Sequence, residues 1–273
     1  MQTMDATPAI EVRPRKFDID DVPKHWHGGR KSVTTFLDNL STFFPAGERF
    51  FIAAVRAHDK HVSDEALRAE VRAFCGQEGF HSREHTRYNE LLAKQGYPVA
   101  ELEREVQELL ARVTKRAPAR ARLAITCALE HMTALMAHML LADARALDGA
   151  NAQMAALWKW HAAEENEHKA VAYDVYRAAN GPYGLRVATM IGATAIFWWR
   201  VFRHQARMMR VDGIAYSPRE WWALFRYLFV EPGTLRGVFP LYLRYFRPGF
   251  HPNEIESAHL VAKWVSEEAR AAA

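Results

Sequence analysis

The sequence predicts an all-α fold in which a four-helix bundle is followed by an additional C-terminal helical subdomain. One observation is that the 273 residues contain neither a β-hairpin turn signal nor a run of alternating β-branched residues. The other is a repeated motif, a lone glutamate followed by Glu-x-x-His: Glu48 precedes Glu78–His81, and Glu130 precedes Glu165–His168. Positions i and i+3 share one helix face, so each pair can grip one ion. Two such helices and two single-glutamate helices form the ligand set of a bundle that holds two metals.

Caps, prolines and glycines predict the helices in the first half of the chain. Residues 1–31 carry scattered Pro and Gly without a sustained period, which predicts an extended N-terminal arm. A short helix over 32–44 is predicted to break at Pro45 and Gly47. Three helices follow: 46–58 with Glu48, 63–96 with the first Glu-x-x-His, and 101–115 as an outer connection.

The second half of the predicted bundle repeats the first. A long helix has Pro118 in its first turn, carries Glu130 and ends near residues 148–149, and a helix over 151–180 carries the second Glu-x-x-His. This weak repeat relates the 46–96 hairpin to the 118–180 hairpin and predicts the metals between them. The bundle domain is therefore predicted over 32–181. Residues 182–273 are predicted to pack on it as four more helices, broken at 212–213, 231–233 and 247–249.

The predicted metal site combines carboxylates with imidazoles, a donor set that suits iron, manganese or zinc. The alternative is that these glutamates are ordinary exposed helix residues. Glu130 argues against it, because it is the only acid between Pro118 and Leu141 in a mostly apolar helix, where an unpaired carboxylate is costly. The predicted ligands are Glu48, Glu78, His81, Glu130, His161, Glu165 and His168.

Two histidines extend the motifs along the same helix faces. His161 lies four residues before Glu165 and seven before His168, so the three share one face. We predict that His161 is a seventh ligand and reaches the ion that His168 holds. His85 follows His81 by four residues, and we predict that it lines the pocket or hydrogen-bonds a ligand.

Four other side chains near the motifs are given no ligand role. Glu164 and Glu167 point off the ligand face and are predicted to face solvent or an outer helix. Cys75 and Cys127 are predicted to be small buried hydrophobes that leave room beside the ions. With only two cysteines there is no disulfide framework, and the polar N-terminus shows no secretory signal, so the sequence predicts a cytoplasmic protein.

Charge and aromatic residues concentrate in the C-terminal part. Residues 183–250 hold ten arginines, no lysine, three acids and half of the chain's aromatic residues. The interpretation we favour is that aromatic faces pack on the bundle while arginines snorkel at the rim. The alternative is a peripheral membrane contact that recruits anionic lipid or a lipid-like substrate. The longest uncharged apolar run, 187–199, is too short to span a bilayer, and no reading motif for nucleic acid accompanies the charge.

The order Glu48, Glu78-x-x-His81, Glu130, Glu165-x-x-His168 resembles the ferritin-like di-iron carboxylate proteins. More narrowly, residues 158–169 and the downstream aromatic-rich helices resemble the bacterial predicted metal-dependent hydrolases. The spacing His161-x-x-x-Glu165-x-x-His168 is also similar to that of the arylamine N-oxygenases, in which an extra histidine completes a seven-ligand di-iron site.

These resemblances imply a ferritin-like bundle with two iron ions, or manganese or zinc in their place. The function expected first is an oxygenase or oxidase that activates O₂, with an unidentified electron donor, on a small or lipid-like organic substrate. The alternative is a metal-dependent hydrolase that uses a bridging hydroxide. A non-enzymatic iron-binding protein is the third hypothesis, although simple storage gives no use for roughly 90 further residues rich in aromatics. A homodimer is compatible with all three.

Overall fold

The computed structural model describes residues 10–271, and helices make up most of that range. No β-strand occurs within it, and the predicted all-α class is confirmed. The helices are α1 (Lys31–Ser41), α2 (Phe44–Arg56), α3 (Glu65–Lys94), α4 (Val99–Arg116), α5 (Ala119–Ala142), α6 (Ala152–His168), α7 (Val171–Ala178), α8 (Tyr183–Val211), α9 (Pro218–Phe225), α10 (Val238–Arg244) and α11 (Ala258–Ala271).

Helices α2, α3, α5 and α6 form the central bundle. α2 packs against α3 and α5, and α6 packs against the same two helices, so the four surround a common interior. Local signals set their starts. The Asp64 side chain accepts a hydrogen bond from the Ala66 backbone N–H at the start of α3, and Asn151 caps α6 in the same manner. Pro45 occupies the first turn of α2, where its missing N–H costs nothing.

Three predicted helix boundaries are wrong. The break expected at Pro45 and Gly47 lies at residues 42–43 instead, and both residues belong to α2, because proline is tolerated in the first turn of a helix. The helix expected to reach residue 148 ends at Ala142, because the Asp143 side chain accepts from the Arg145 N–H and starts a separate 3₁₀ turn over Ala144–Leu147. The helix expected over 151–180 is interrupted at residues 169–170, directly after His168. At this point the buried Lys169 ammonium donates to the Ile255 carbonyl and to the Ser257 hydroxyl, both at 2.5 Å. A non-local contact therefore coincides with the break.

The described part of the N-terminal arm, residues 10–30, contains no helix and lies along the bundle. Phe17, Ile19 and Trp26 are buried in the same core as residues of α1, α3 and α6. The Phe17 backbone N–H donates to Glu84 on α3 at 3.2 Å. The arm is thus a packed part of the structure, and it covers the outer faces of two bundle helices.

The C-terminal helices also pack on the bundle. α8 lies against α1 and α5, α9 against α1, and α11 against α5 and α6. Three arginines of α8 also form ion pairs with the bundle side of the structure. Arg200, Arg203 and Arg207 all lie 2.7–3.4 Å from the Glu105 carboxylate of α4. By length and composition, α5 is the one candidate membrane span in residues 10–271. Most of it is buried inside the protein, as expected of the core helix of a bundle.

A buried carboxyl joins the arm to the bundle. Asp38 of α1 accepts hydrogen bonds from the Trp26 indole at 2.8 Å and from the Tyr88 hydroxyl at 2.5 Å. Complete burial nevertheless raises the pKa of Asp38 to about 7, against an ordinary value of 3.8. The folded state holds this proton across a pH range in which the unfolded chain releases it. Asp38 therefore makes the protein less stable as pH rises from 3.8 to about 7.

We expect Asp38→Asn to remove this pH dependence. The amide oxygen can still accept from Trp26 and Tyr88, but it does not ionise. The variant should gain stability relative to the wild type as pH rises from about 4 to 8, by at most roughly 4 kcal/mol, since each pKa unit is worth about 1.4 kcal/mol. Urea unfolding at several pH values measures this, with Asp59→Asn on the surface as the control. Parallel pH profiles for Asp38→Asn and the wild type would contradict the assignment.

Candidate metal centre

The bundle brings all the predicted ligand residues to its interior. One residue comes from α2, two from α3, one from α5 and three from α6. Every one of these side chains belongs to a residue that is at most 3% exposed. They are, in chain order, Glu48, Glu78, His81, Glu130, His161, Glu165 and His168.

Their ligand atoms fall into three overlapping sets, within each of which the atoms lie inside 4.8 Å of one another. Glu78 belongs to two of the sets and connects them. Each set could hold a metal ion. The sets are Glu48 with His81 and His161, Glu78 with His81 and Glu165, and Glu78 with Glu130 and His168.

Glu165 occupies the middle of the cluster. Its Oε1 atom lies 3.2 Å from His161 Nε2, 3.6 Å from His168 Nε2 and 3.8 Å from His81 Nδ1. His168 Nε2 is also 3.2 Å from a Glu78 oxygen and 3.5 Å from a Glu130 oxygen. Three imidazoles and three carboxylates therefore converge on one small volume.

Apart from these close contacts with one another, the converging atoms lack well-directed hydrogen bonds within residues 10–271. Both oxygens of Glu48, Glu78 and Glu130 are unpartnered, and so is one oxygen of Glu165. The same holds for three inward nitrogens, His81 Nδ1, His161 Nε2 and His168 Nε2. Buried polar atoms are rarely left without a partner, because their desolvation is costly. A donor set of this kind fits metal cations well, since each orphaned lone pair can bind one.

The pKa shifts within the cluster also indicate a site for cations. Burial raises the pKa of Glu48 and Glu130 well above the ordinary value, and repulsion from Glu78 and Glu165 adds to the rise. Burial opposes ionisation of His168 too, yet Glu165 and Glu78 outweigh it and raise its pKa well above the usual range. Bound cations would favour the ionised carboxylates and the neutral imidazoles that serve as ligands.

Hydrogen bonds on the outer side fix two of the imidazole rings. His81 Nε2 lies 3.0 Å from a Glu164 oxygen, and His168 Nδ1 lies 2.8 Å from the Gln77 side-chain oxygen. In both rings the second nitrogen is left facing the cluster. Partners of this kind orient a histidine and set which nitrogen is available to a metal.

Glu164 and Glu167 do not face solvent or an outer helix, and that prediction is wrong. They are 0% and 3% exposed and face the N-terminal arm. The Arg13 guanidinium donates to both oxygens of Glu167 at 2.8 and 2.9 Å, and the Arg13 backbone N–H donates to Glu164 at 3.2 Å. One signal in the sequence could have shown this. Glu164 and Glu167 follow the large apolar residue Trp160 by four and seven positions and so share its helix face, and the structure buries Trp160 completely.

His161 is held by a chain of polar side chains. Its Nδ1 lies 2.8 Å from His85 Nε2, and His85 Nδ1 lies 2.9 Å from the Ser41 hydroxyl. His85 thus hydrogen-bonds a predicted ligand, one of the two roles expected of it. His161 stacks on His81 with ring centroids 4.2 Å apart. It forms a candidate set with Glu48 and His81. Its Nε2 atom and that of His168 both lie within 3.6 Å of the same Glu165 oxygen, and a shared ion stays a prediction.

The two cysteines belong to no candidate metal set among the described residues. Cys127 is buried, and its thiol donates to the Ala172 carbonyl at 3.2 Å, as expected of a small core residue. Cys75 is partly exposed and borders a separate surface pocket beside Arg56 and Asp59, so its predicted full burial is wrong.

A small apolar cavity of about 60 Å³ adjoins the cluster. His161 and Glu165 form one wall of it, so a molecule inside would touch the metal side of α6. We name this space the inner chamber. Its other walls come largely from α1 and α5 and include Leu37, Leu40, Phe44, Met136 and Leu140.

Comparison with known proteins gives one match. Neither the curated proteins nor the solved structures yield a similar chain. The model of a family described as predicted metal-dependent hydrolase matches residues 11–256, which include the whole bundle and most of the C-terminal helices. The corresponding resemblance in the sequence is confirmed, and the chain belongs to the predicted metal-dependent hydrolase family.

Proposed function

We propose that this protein is a metal-dependent hydrolase with a dinuclear centre in a ferritin-like bundle. The observation that carries the proposal is the set of converging, unpartnered and fully buried carboxylate and imidazole atoms. Membership of a family described as metal-dependent hydrolases supports the reaction class. Iron, manganese and zinc all suit the donor set.

All seven residues would hold the metals, and Glu78 and Glu165 would be central among them because each lies close to ligand atoms of several other residues. When bound there, two divalent cations would supply the Lewis acidity that hydrolysis of a substrate bond by water requires at neutral pH.

Residues around the predicted ligands hold the histidine rings in place, and an apolar chamber lies beside them. Glu164 and Gln77 hold the His81 and His168 rings so that one nitrogen of each faces inward. His85 does the same for His161. The apolar walls of the inner chamber lower the local polarity, which strengthens electrostatic interactions beside them. They also favour an apolar group of the substrate beside Glu165.

The purified protein should contain about two transition-metal ions per chain, as expected for two Glu-x-x-His pairs and two further glutamates. Elemental analysis after expression with iron, manganese or zinc measures this. Glu130→Gln should reduce the content, because the amide is a poorer ligand than a carboxylate. Glu108→Gln, on the exposed face of α4, is the matched control. Folded wild-type protein that takes up no metal would refute the dinuclear site.

His161→Ala tests whether seven residues or six hold the metals. As a ligand, His161 should be needed for full occupancy, so the variant should lose up to about one ion per chain. Alanine is compatible with the helix, so the fold should persist. His138→Ala on α5 is the control, because His138 belongs to no candidate metal set of the described chain. Metal content near two, with affinity weakened only ten- to a hundredfold, would instead indicate an orienting role.

Oxidation with O₂ is the second candidate function, and the donor set favours it. The predicted ligands are four glutamates and three histidines, with no other residue type among them. This composition is the one that the resemblance to di-iron carboxylate proteins implies. The inner chamber is apolar and small, which suits O₂ better than bulk water. Non-enzymatic iron binding is not adopted, because the family description is that of an enzyme.

One pair of assays separates the two functions. As a hydrolase, the metal-loaded protein should release nitrophenol from p-nitrophenyl esters without O₂, and chelation should stop the release. As an oxygenase, it should consume O₂ only after loading with ferrous iron and a reductant. Glu130→Gln should lose whichever activity is present, and Glu108→Gln should keep it. Ester hydrolysis that persists in metal-free protein would contradict the first function, and O₂ consumption without ferrous iron would contradict the second.

We also propose the partners that the sequence led us to expect. A small or lipid-like substrate is expected, and nucleic acid is not. An electron donor is required only by the second function. A cytoplasmic location, a peripheral membrane contact and a homodimer stay predictions.

A further inference from the structure

A second cavity, of about 330 Å³, lies outside the metal cluster, between α2, α4, α5 and α8. We name it the outer cavity. Its size is at the lower end of the range of small-molecule sites, roughly 300–1,000 Å³. None of the seven metal-site residues lines it in the described chain. Its walls are almost wholly apolar and include Phe43, Phe51, Leu110, Leu129, Ile196 and Phe197.

The outer cavity and the inner chamber share two wall residues, Phe44 and Thr133. The Phe44 ring packs on the rings of His85 and His161, with centroids 4.6 Å apart in both pairs. Thr133 lies one turn after Glu130 on α5. Phe44, which contacts the predicted ligand His161, therefore separates the two cavities. A molecule in the outer cavity would lie one layer of side chains away from the candidate metal centre.

Charge at the outer cavity is positive. Arg200 is the charged residue of its lining within the described chain. It lies in a cluster with Arg203 and Arg207 whose acidic partners are Glu101 and Glu105. Three arginines facing two glutamates leave one positive charge in excess. A guanidinium can pair with a carboxylate through two parallel hydrogen bonds.

The cavity lies beside an apolar stripe on the solvent side of α8. Ile191, Ile196, Trp199 and Phe202 are exposed there, Trp199 by 68%. Ile196 and Gly192 also line the cavity, so the stripe and the cavity wall are continuous. Exposed apolar patches of this kind mark contacts with apolar ligands or surfaces.

We propose that the outer cavity binds the aliphatic chain of an anionic amphiphile, a molecule of the fatty-acid class, with its head group near Arg200. The apolar walls favour hydrocarbon, and the excess positive charge favours the anionic head. That this amphiphile is the substrate rests on the proposed function. Binding itself needs no turnover, so it can be measured separately.

Titration calorimetry with saturated fatty acids of increasing length tests the proposal on the full chain. Each added methylene should tighten binding about fourfold, the equivalent of about 0.8 kcal/mol, until the cavity is full. Gly192→Leu should weaken the longest chains at least tenfold, because an added side chain at Gly192 meets open space and would occupy the cavity. Gly184→Leu is the matched control, since this glycine of α8 also meets open space but does not line the cavity.

The head group is tested with alcohols of the same length. The wild type should prefer the acid over the alcohol about tenfold, and Arg200→Gln should abolish that preference while the dependence on chain length remains. Affinity that does not change with chain length, or equal binding by Gly192→Leu and Gly184→Leu, would overturn the proposal.

Sedimentation with anionic phosphatidylglycerol vesicles distinguishes the two sources of such a chain. Co-sedimentation that Gly192→Leu weakens, and that neutral phosphatidylcholine vesicles do not support, identifies a membrane lipid. Binding of free fatty acid without co-sedimentation identifies the soluble amphiphile. Chain binding by a protein that shows neither hydrolysis nor O₂ uptake would keep this site and reject the proposed function.

Discussion

The repulsion among four buried glutamates is the constraint on which the rest of this structure depends. Each bundle helix contributes one carboxylate to the same interior, where water does not screen charge. Three imidazoles accompany them, and Arg13 pairs with Glu167 on the outer face. Carboxylates in such a place must be protonated or bound to cations. The raised pKa of His168 lets this one ring offset part of their charge. The fold is therefore built around four carboxylates that its own side chains neutralise only in part.

The layer around the cluster serves to keep its donors in place. Glu164, Gln77 and His85 each hydrogen-bond the outward nitrogen of one histidine, so that the inward nitrogen stays available. The N-terminal arm supports this layer through Arg13, which holds Glu164 and Glu167. A segment without helical structure thus supports a site built on helices, because Arg13 supplies the positive charge that pairs with Glu167.

The C-terminal helices give the bundle features that a four-helix core alone does not have. α8 closes one side of the outer cavity and brings the arginine cluster to Glu105. Phe44 and Thr133 form the wall between that cavity and the inner chamber. The candidate metal centre, the wall of Phe44 and Thr133, and the outer cavity therefore follow one another across the bundle.

Local sequence patterns determined the helices and the candidate donors. Residues three, four and seven apart on a helix share a face whatever surrounds them, so Glu78 with His81, and His161 with Glu165 and His168, could be grouped in advance. Caps such as Asp64 and Asn151 act within one turn, and the starts of α3 and α6 followed from them. The single acid in an apolar helix likewise singled out Glu130.

Only the tertiary structure decided which donors meet and what supports them. His161 is grouped with Glu48 and His81, which come from two other helices. Arg13 reaches Glu164 and Glu167 across more than 150 residues of chain, and Lys169 reaches Ile255 across 86. Such contacts depend on how helices pack and where the arm lies, and helical periodicity carries no information about either. The sequence by itself therefore specified a metal-binding bundle, whereas packing determined the shape of its site.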